Sequence, residues 1–381
     1  MKVLHLVKTT SGAIWALRQI KVLIDLGCEV WVALPSDTGT ASAYRAAGAK
    51  VIVLTSDIAC LKNPISLFRS IYAFRQLIEN IKPDVVHSHF VGTTLFMRIA
   101  LFRVSVARCF QVPGPLHLER YLTRAAEIAL SGDEDYWIAT CKRTRKYYID
   151  AKVPANKLFL TYYGTDAGLF SPSAKGVLRK ELGISDQVKI VGMVAYAYGP
   201  KKWLGQGRGI KGHEDLIDAM SLVIKHRSDV VCVFVGGAWV GAEKYYDAVK
   251  RYGKKILKDK AIFLGSRSDV ASLYPDFDLV VHPSHSENLG GAAESLLMGV
   301  PTVTTNIGGF PDIVIPGKTG WMVPPRNPAM LSNAILDVLN RPDEALKRAQ
   351  AGRVLTQNML DIRETGRAVY GFYQEILREK R

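Results

Sequence analysis

Short runs of consecutive apolar, mostly β-branched residues recur along this 381-residue chain, and between them lie longer segments whose apolar residues return every three or four positions. Runs of that kind are too uniformly apolar for a strand with one wet face, so they read as strands buried on both sides. Strands covered on both faces are parallel, and a parallel pair needs a crossover that is usually helical. The first half predicts strands at Val3–Val7, Glu29–Leu34, Val51–Leu54, Asp84–His87, Tyr136–Thr140 and Leu158–Tyr162, and helices at Ser11–Leu26, Pro64–Asn80, Gly92–Phe102 and from about Lys142 to Asp150. The stretch Gly164–Lys175 is rich in small and turn residues and reads as a linker. The alternation then restarts, with strands at Lys189–Val194, Val230–Val235, Ala261–Leu264, Leu279–His282 and Thr302–Thr304, and helices at His213–Lys225 and Glu243–Leu257. Helices with charged outer faces fill about 328–380. The expected fold class is α/β, with two domains of similar size facing across a cleft and ligands held at the carboxyl ends of their strands. The expected boundaries are 1–165, 166–358 and a C-terminal helix over 359–381 that crosses back to the first domain.

Composition narrows the function. Five scattered cysteines without a CxxC or Cys/His cluster speak for reduced thiols in the cytoplasm and against a disulfide scaffold or a zinc site. The opening MKVLHLVKTT lacks the long apolar core of a signal peptide, and no apolar stretch is long enough to span a membrane. The net charge is +15, and residues 1–165 hold 21 of the Lys and Arg against 12 of the Asp and Glu. Arg69, Arg75, Arg98, Arg103 and Arg108 punctuate apolar segments there, which suits either a solvated basic face or peripheral contact with an anionic membrane. No helix-turn-helix, zinc-finger or RNP-like pattern points to nucleic acid.

Chemistry concentrates in LVVHPSHSENLGGAAESLLMGVP, Leu279 to Pro301. A buried strand leads through a polar turn holding two His and Glu287 into a glycine pair that opens a helix carrying Glu294. Free amides at a helix N-terminus make an anion site, and Gly290 and Gly291 leave the backbone approachable. A second feature is AYAYGPKKWLGQGRGIK after the strand at Lys189–Val194, a long Gly-rich loop with aromatic rings and four basic side chains. Among these Lys211 stands just before a helix. Other signals are weaker. Thr10, Ser11 and Gly12 form a turn at the edge of the first sheet. His87 and His89 lack a third ligand at metal spacing. His117 lies in a Pro- and Gly-rich loop. Asp133-Glu134-Asp135 reads as a solvated turn rather than a DxD metal motif.

The second half resembles the donor domain of glycosyltransferase family 4, retaining enzymes of the GT-B fold with two Rossmann-like domains. The pieces that carry the likeness are VGMV, IKGHEDLIDAM, VVCVFVGG, AIFLGSRSDVASLYPDFDLVVHPS, SENLGGAAESLLMGVPTVTTNIGGFPDIV and GKTGWMVPP. The first half is similar more loosely, through KVLHLV, DVVHSHF and LTYYGTDAGLFSP. The resemblance implies that Glu294 bonds the donor ribose. It implies that Glu287, with the amides of Asn288, Leu289, Gly290 and Gly291, faces the donor sugar and diphosphate. Lys211 pairs with the diphosphate, the backbone of Gly265, Ser266 and Arg267 holds the base, His117 sits near the transferred sugar, and Thr10 to Gly12 lie on the acceptor side. Two departures stand out. Six residues separate Glu287 from Glu294 where the family has seven, and Met193 stands where the family carries an arginine, which leaves Arg208 or Lys202 as a second phosphate cation.

The implied reaction moves a hexose, with UDP-glucose as the expected donor, to a saccharide or lipid-linked saccharide in surface polysaccharide or glycolipid assembly. It needs no metal or other cofactor, because fixed dipoles and Lys211 meet the leaving charge. The expected location is the cytoplasm, at the inner face of the membrane. Two other readings remain open at this point: a UDP-sugar epimerase of the same fold, and a basic scaffold that binds lipid or nucleic acid without catalysis.

Overall fold

The computed structural model describes residues 1–58, 63–172, 175–200 and 205–380. The chain divides into two compact units, Met1–Asp166 with Met359–Arg381, and Ala167–Asn358.

The first unit is built from β1 (Lys2–Leu6), α1 (Ile14–Asp25), β2 (Glu29–Leu34), α2 (Ala41–Ala46), β3 (Lys50–Val53), α3 (Pro64–Ile81), β4 (Val85–Ser88), α4 (Val91–Ala100), β5 (Ala107–Gln111), α5 (Tyr121–Ala129), β6 (Asp135–Ala139), α6 (Lys142–Asp150) and β7 (Leu158–Leu160). All strands are parallel, in the order β3-β2-β1-β4-β5-β6-β7. Every residue of β4, β5 and β6 is buried, as a sheet covered on both faces requires. The helix α1 turns Ala16, Gln19, Ile20 and Leu23 inward, the i, i+3, i+4, i+7 stripe of an amphipathic helix. It starts three residues later than the sequence predicts, because Gly12 and Ala13 are both left-handed, at φ 71° and 54°.

The second unit follows with α7 (Val177–Leu182), β8 (Lys189–Val194), α8 (His213–His226), β9 (Val230–Val235), α9 (Glu243–Leu257), β10 (Ala261–Gly265), α10 (Val270–Leu273), β11 (Leu279–His282), α11 (Gly290–Leu297), β12 (Thr302–Thr305), α12 (Phe310–Ile313), β13 (Trp321–Val323), α13 (Pro328–Asn340) and α14 (Pro342–Met359). Its six strands are parallel, in the order β10-β9-β8-β11-β12-β13. The order reverses between β8 and β11, and ligands of open parallel sheets bind outside the strand ends at such a switch point. Asp276 ties the entry of α7, accepting from the amides of Gly176 (2.6 Å) and Leu178 (2.7 Å).

The last helix, α15 (Ile362–Glu379), belongs to the first unit and lies along α1. Asp361 caps it by accepting from the amides of Arg363 and Glu364. The chain passes so close to α1 that a Cβ on Gly366 would stand 2.5 Å from Val22 Cγ1. Val369, Phe372, Tyr373 and Ile376 complete that core.

Two readings of the sequence need correction. Arg98 and Arg108 are not part of a basic face: their side chains are 3% and 8% exposed. Asp135, the last residue of the supposed solvated turn, is the first residue of β6 and is buried. It accepts from Arg98 Nε at 3.1 Å and Arg108 Nη2 at 2.8 Å, and Glu127 meets Arg98 Nη2 at 2.8 Å. Burial pushes the Glu127 carboxyl up from the usual range, with Arg98 pulling the other way. Asp133 alone of the three stays fully in solvent.

Candidate active site

In the second unit, β8 and β11 deliver two loops side by side beyond the sheet. One carries Arg208 to Gly212 and the other Pro283 to Leu289. The amide of His285 donates to the carbonyl of Ile210 at 2.7 Å, which ties the loops together. Lys211 Nζ then forms an ion pair with Glu287 Oε2, the side chains being 19% and 16% exposed. Lys211 also lies 5.5 Å from the centre of the Tyr198 ring. Burial, and then the Glu287 charge, push the Tyr198 phenol up to about 12, so it keeps its proton.

Glu287 is held from behind. Gly308, at φ +50°, comes so close that a Cβ there would stand 1.5 Å from the Glu287 carbonyl oxygen. The neighbouring amide of Gly309 donates to Asn288 O at 3.1 Å. The helix α11 opens at Gly290, at φ +44°, where a Cβ would meet Glu287 Cδ at 2.8 Å. The first-turn amides of α11 have no partner within the helix, and they emerge beside the Lys211–Glu287 pair. Glu294 sits in the second turn and accepts from Tyr274 Oη at 3.1 Å. Below the glycines lies His282, bonded to Ser295 Oγ at 3.2 Å. Burial, and then Lys211, lower its imidazole to about 3, so it is neutral and structural. Asn288 Oδ1 is buried and has no hydrogen-bond partner among the described residues.

Sequence reasoning missed a second layer. Asp215 of α8 accepts from Arg208 Nη1 (2.6 Å) and bonds His285 Nε2 (2.6 Å), and Arg208 also reaches Asp218 at 2.7 Å. Burial works against the Asp215 charge, yet the bonds from His285 and Arg208 hold its carboxyl below the usual range. Arg208 therefore has its charge matched by two carboxylates and lines a pocket with His285, Gly205, Gly207 and Arg326. Met193 is 1% exposed within the core, and Lys202 lies outside the described residues. The Arg267 side chain turns to Glu181 (2.7 Å) and Asp269 (2.7 Å), which leaves the backbone of Gly265, Ser266 and Arg267 at the end of β10. The aspartate at 215 carried a faint signal, as a carboxylate in the first turn of a helix that follows a basic loop.

In the first unit, Thr10, Ser11 and Gly12 form the turn between β1 and α1, where Thr9 Oγ1 meets the Ser11 backbone and Gly12 has open space about it. His117 is half-buried beside Phe110, and its Nε2 has no partner among the described residues. Burial, and then Arg98, lower it to about 4, so near neutral pH it is an uncharged hydrogen-bonding group. His87 and His89 do have a third histidine beside them: the β1–β4 register sets His5 opposite His87. His5 Nδ1 bonds His89 Nε2 at 2.9 Å, His89 Nδ1 bonds Tyr163 Oη at 2.9 Å, and His87 Nδ1 bonds Tyr373 Oη. All three are fully buried. The His89 ring lies within 12° of parallel to His5 and 20° of parallel to His87. Lone pairs lie in the ring planes, so near-parallel rings do not converge on one ion.

Two family models match the chain. Glycosyltransferase Family 4 matches residues 13–169, and Glycosyl transferases group 1 matches residues 204–354. A lipopolysaccharide core biosynthesis mannosyltransferase, LpsB, of Rhizobium meliloti (strain 1021) is 29% identical over 250 residues, 64% of this chain and 66% of that protein. A D-inositol 3-phosphate glycosyltransferase of Mycolicibacterium smegmatis is 27% identical over 200 residues, 51% of this chain and 43% of that protein. The matched segment thus spans 43% to 66% of the length of these two curated relatives. Among solved structures, Anabaena Alr3699/HepE in complex with UDP and glucose aligns with a TM-score of 0.81 at 21% identity, over 97% of this chain and 98% of that one. Those structures share the two-unit, parallel-sheet architecture of GT-B glycosyltransferases.

Proposed function

The chain belongs to glycosyltransferase family 4, and from that premise we propose that it moves a hexose from a nucleotide sugar to a saccharide or lipid-linked saccharide acceptor, with retention at the anomeric carbon. The observation that carries this reading is the Lys211–Glu287 ion pair at the opening of α11. A cation and a fan of free amides converge there, which is what a departing diphosphate requires.

Transfer breaks the bond between the anomeric carbon and the diphosphate oxygen, and the electron pair leaves with the diphosphate. Lys211 and the first amides of α11 stabilise that charge, fixed in place before it develops. No metal is required in this scheme. The sugar passes through an oxocarbenium-like state, and Glu287 fixes its hydroxyls by charge-assisted hydrogen bonds. Glu294 bonds the ribose, with Tyr274 setting its orientation. The acceptor oxygen bonds the anomeric carbon on the face the diphosphate leaves, and its proton passes to a diphosphate oxygen.

UDP-glucose is the first donor to try, since a structure of the same fold is described with UDP and glucose. The lipid-linked acceptor draws support from the first unit. On α3 the side chains of Ile65, Phe68 and Tyr72 are exposed on one face beside Arg69, and exposed Phe102 lies under Arg103. Apolar rings flanked by cations suit an anionic lipid surface. No helix among the described residues is long and apolar enough to cross a membrane.

The test is nucleoside diphosphate release from a panel of UDP-, GDP- and ADP-sugars, with the membrane fraction as acceptor source. Wild-type protein is expected to turn over one of them and Glu294→Ala to lose most of that turnover. A folded sample that binds and consumes none of the panel overturns the reading.

A further inference from the structure

The aromatic loop after β8 is not used by the chemistry above. Beyond the ends of β8 and β9 the two chains continue side by side: Ala197 N donates to Gly237 O (2.8 Å) and Trp239 N to Ala197 O (3.0 Å). Ala197 points into the core, so Tyr196 and Tyr198 project to the other side. There Trp239 stacks on Tyr198, with ring centres 5.0 Å apart and planes 25° from parallel, while Tyr196 meets Trp239 edge-on at 5.6 Å. Tyr196 and Trp239 are 44% and 39% exposed, unusual for rings with this much apolar surface.

The place of this shelf suggests what covers it. One end touches the phosphate-binding cation: a step of 5.5 Å leads from Lys211 Nζ to the Tyr198 ring and a step of 5.0 Å from there to the indole. The other end abuts the loop after β10. A Cβ on Gly237 would stand 2.6 Å from Ser266 Oγ, so the chain two residues before Trp239 is pressed against Ser266. A rigid aromatic surface therefore runs between the cation and the loop that begins at Ser266; Gly265 before it is tied down, its carbonyl accepting from Gly236 N at 2.8 Å. A nucleoside diphosphate has this layout, with anionic charge at one end and a flat heterocycle at the other.

We propose that Tyr196, Tyr198 and Trp239 form a stacking platform for the base of the nucleotide, with Trp239 as its principal face. This rests on the donor-site reading above and adds to it a binding surface shared by the segments that follow β8 and β9. Stacking tolerates any base, so the platform supplies affinity and the backbone of Ser266 and Arg267 supplies the choice among bases.

The experiment titrates wild-type protein, Trp239→Ala, Trp239→Phe and Tyr196→Ala with UDP, GDP and inorganic pyrophosphate, by calorimetry and by tryptophan fluorescence. Trp239→Ala is expected to bind the preferred nucleoside diphosphate about tenfold or more weakly and pyrophosphate as well as wild type does. Trp239→Phe keeps a ring and is expected to recover most of the affinity, while losing most of the fluorescence quenching. Trp239→Ala that binds the nucleotide like wild type overturns the platform. So does a parallel loss of nucleotide and pyrophosphate binding, which marks a structural defect. Wild type that binds pyrophosphate but no nucleotide also overturns the platform and leaves the phosphate site standing. Wild type that binds none of the three overturns the donor-site reading itself.

Discussion

Glu287→Gln separates the two partners of the central ion pair and has an unusual sign. Glu287 is ion-paired with Lys211, so an incoming diphosphate must compete for the cation and approach a carboxylate. At about 5 Å and an effective dielectric of about 20, a carboxylate repels one unit of negative charge by about 3 kcal/mol. Lys211 offsets part of this while it stays bonded, and a side chain 16% exposed is partly screened, so about 1.4 kcal/mol is carried forward. That is tenfold in affinity. Glutamine keeps the shape and an acceptor oxygen but not the charge. UDP, the leaving group without its sugar, is therefore expected to bind Glu287→Gln about tenfold more tightly than wild type, by calorimetry at low salt. The gap is expected to narrow as salt screens the repulsion. Turnover of the nucleotide sugar is expected to fall at the same time, because the charge-assisted bonds to the sugar hydroxyls are lost. UDP binding that is unchanged or weaker refutes the argument, since it means that no diphosphate sits beside this carboxylate.

Gly308→Ala is expected to abolish turnover while leaving unfolding of the first unit unchanged, because its Cβ would displace the Glu287 backbone; near-normal activity overturns that placement. Asp135→Ala leaves Arg98 and Arg108 buried without their shared carboxylate, at a cost of about 3–5 kcal/mol, read as a lower urea midpoint for the first unit; a midpoint within experimental error of wild type counts against the buried network. The first unit is also expected to weaken as pH falls from about 6.5 to 4. His5 at about 3, His117 at about 4, and His87 and His89 well below the usual value stay neutral in the fold, whereas the unfolded chain takes up protons near 6.5. Each contributes up to about 1.4 kcal/mol per pH unit in that window, and a flat urea midpoint from pH 7 to 4.5 contradicts it. Phe68→Glu is expected to reduce binding to vesicles of anionic phospholipid without lowering the first unit's melting temperature, and unchanged binding removes α3 as the membrane face.

The two parallel sheets were legible because their strands are apolar without interruption, and VVCVFV or LVVH allow little else. β5 was not, since Arg108 breaks the run ARCFQ, and β13 was not, since three residues give no period. The family likeness marked Lys211 and Glu287, but nothing in the spacing says that residues 76 positions apart form an ion pair. That depends on the bond between His285 and Ile210 and on the approach of Gly308. The stack of Tyr198 on Trp239 and the bond of Asp215 to His285 likewise join separate loops, and each ring or charge alone reads as an ordinary surface residue. His5 was passed over because a histidine inside a strand carries no signal until the register sets it beside His87.

The buried arginines carry a more general point about net charge. A composition of +15 counts Arg98 and Arg108 equally with Arg69 and Arg103, although the first two are neutralised inside the fold. What distinguishes Arg108 is its place in a central strand. β5 lies between β4 and β6, so an arginine in it has no route to water and demands an anion at the same height on a neighbour. The register supplies one, pairing Arg108 with Asp135, and α4 brings Arg98 to the same carboxylate. A charge in a central parallel strand thus predicts its own counterion one strand away, and the basic surface has to be sought elsewhere. In this chain the candidates include α6, with Lys142, Arg143, Arg145 and Lys146, and the outer face of α3, where no carboxylate falls between Ile65 and Arg75.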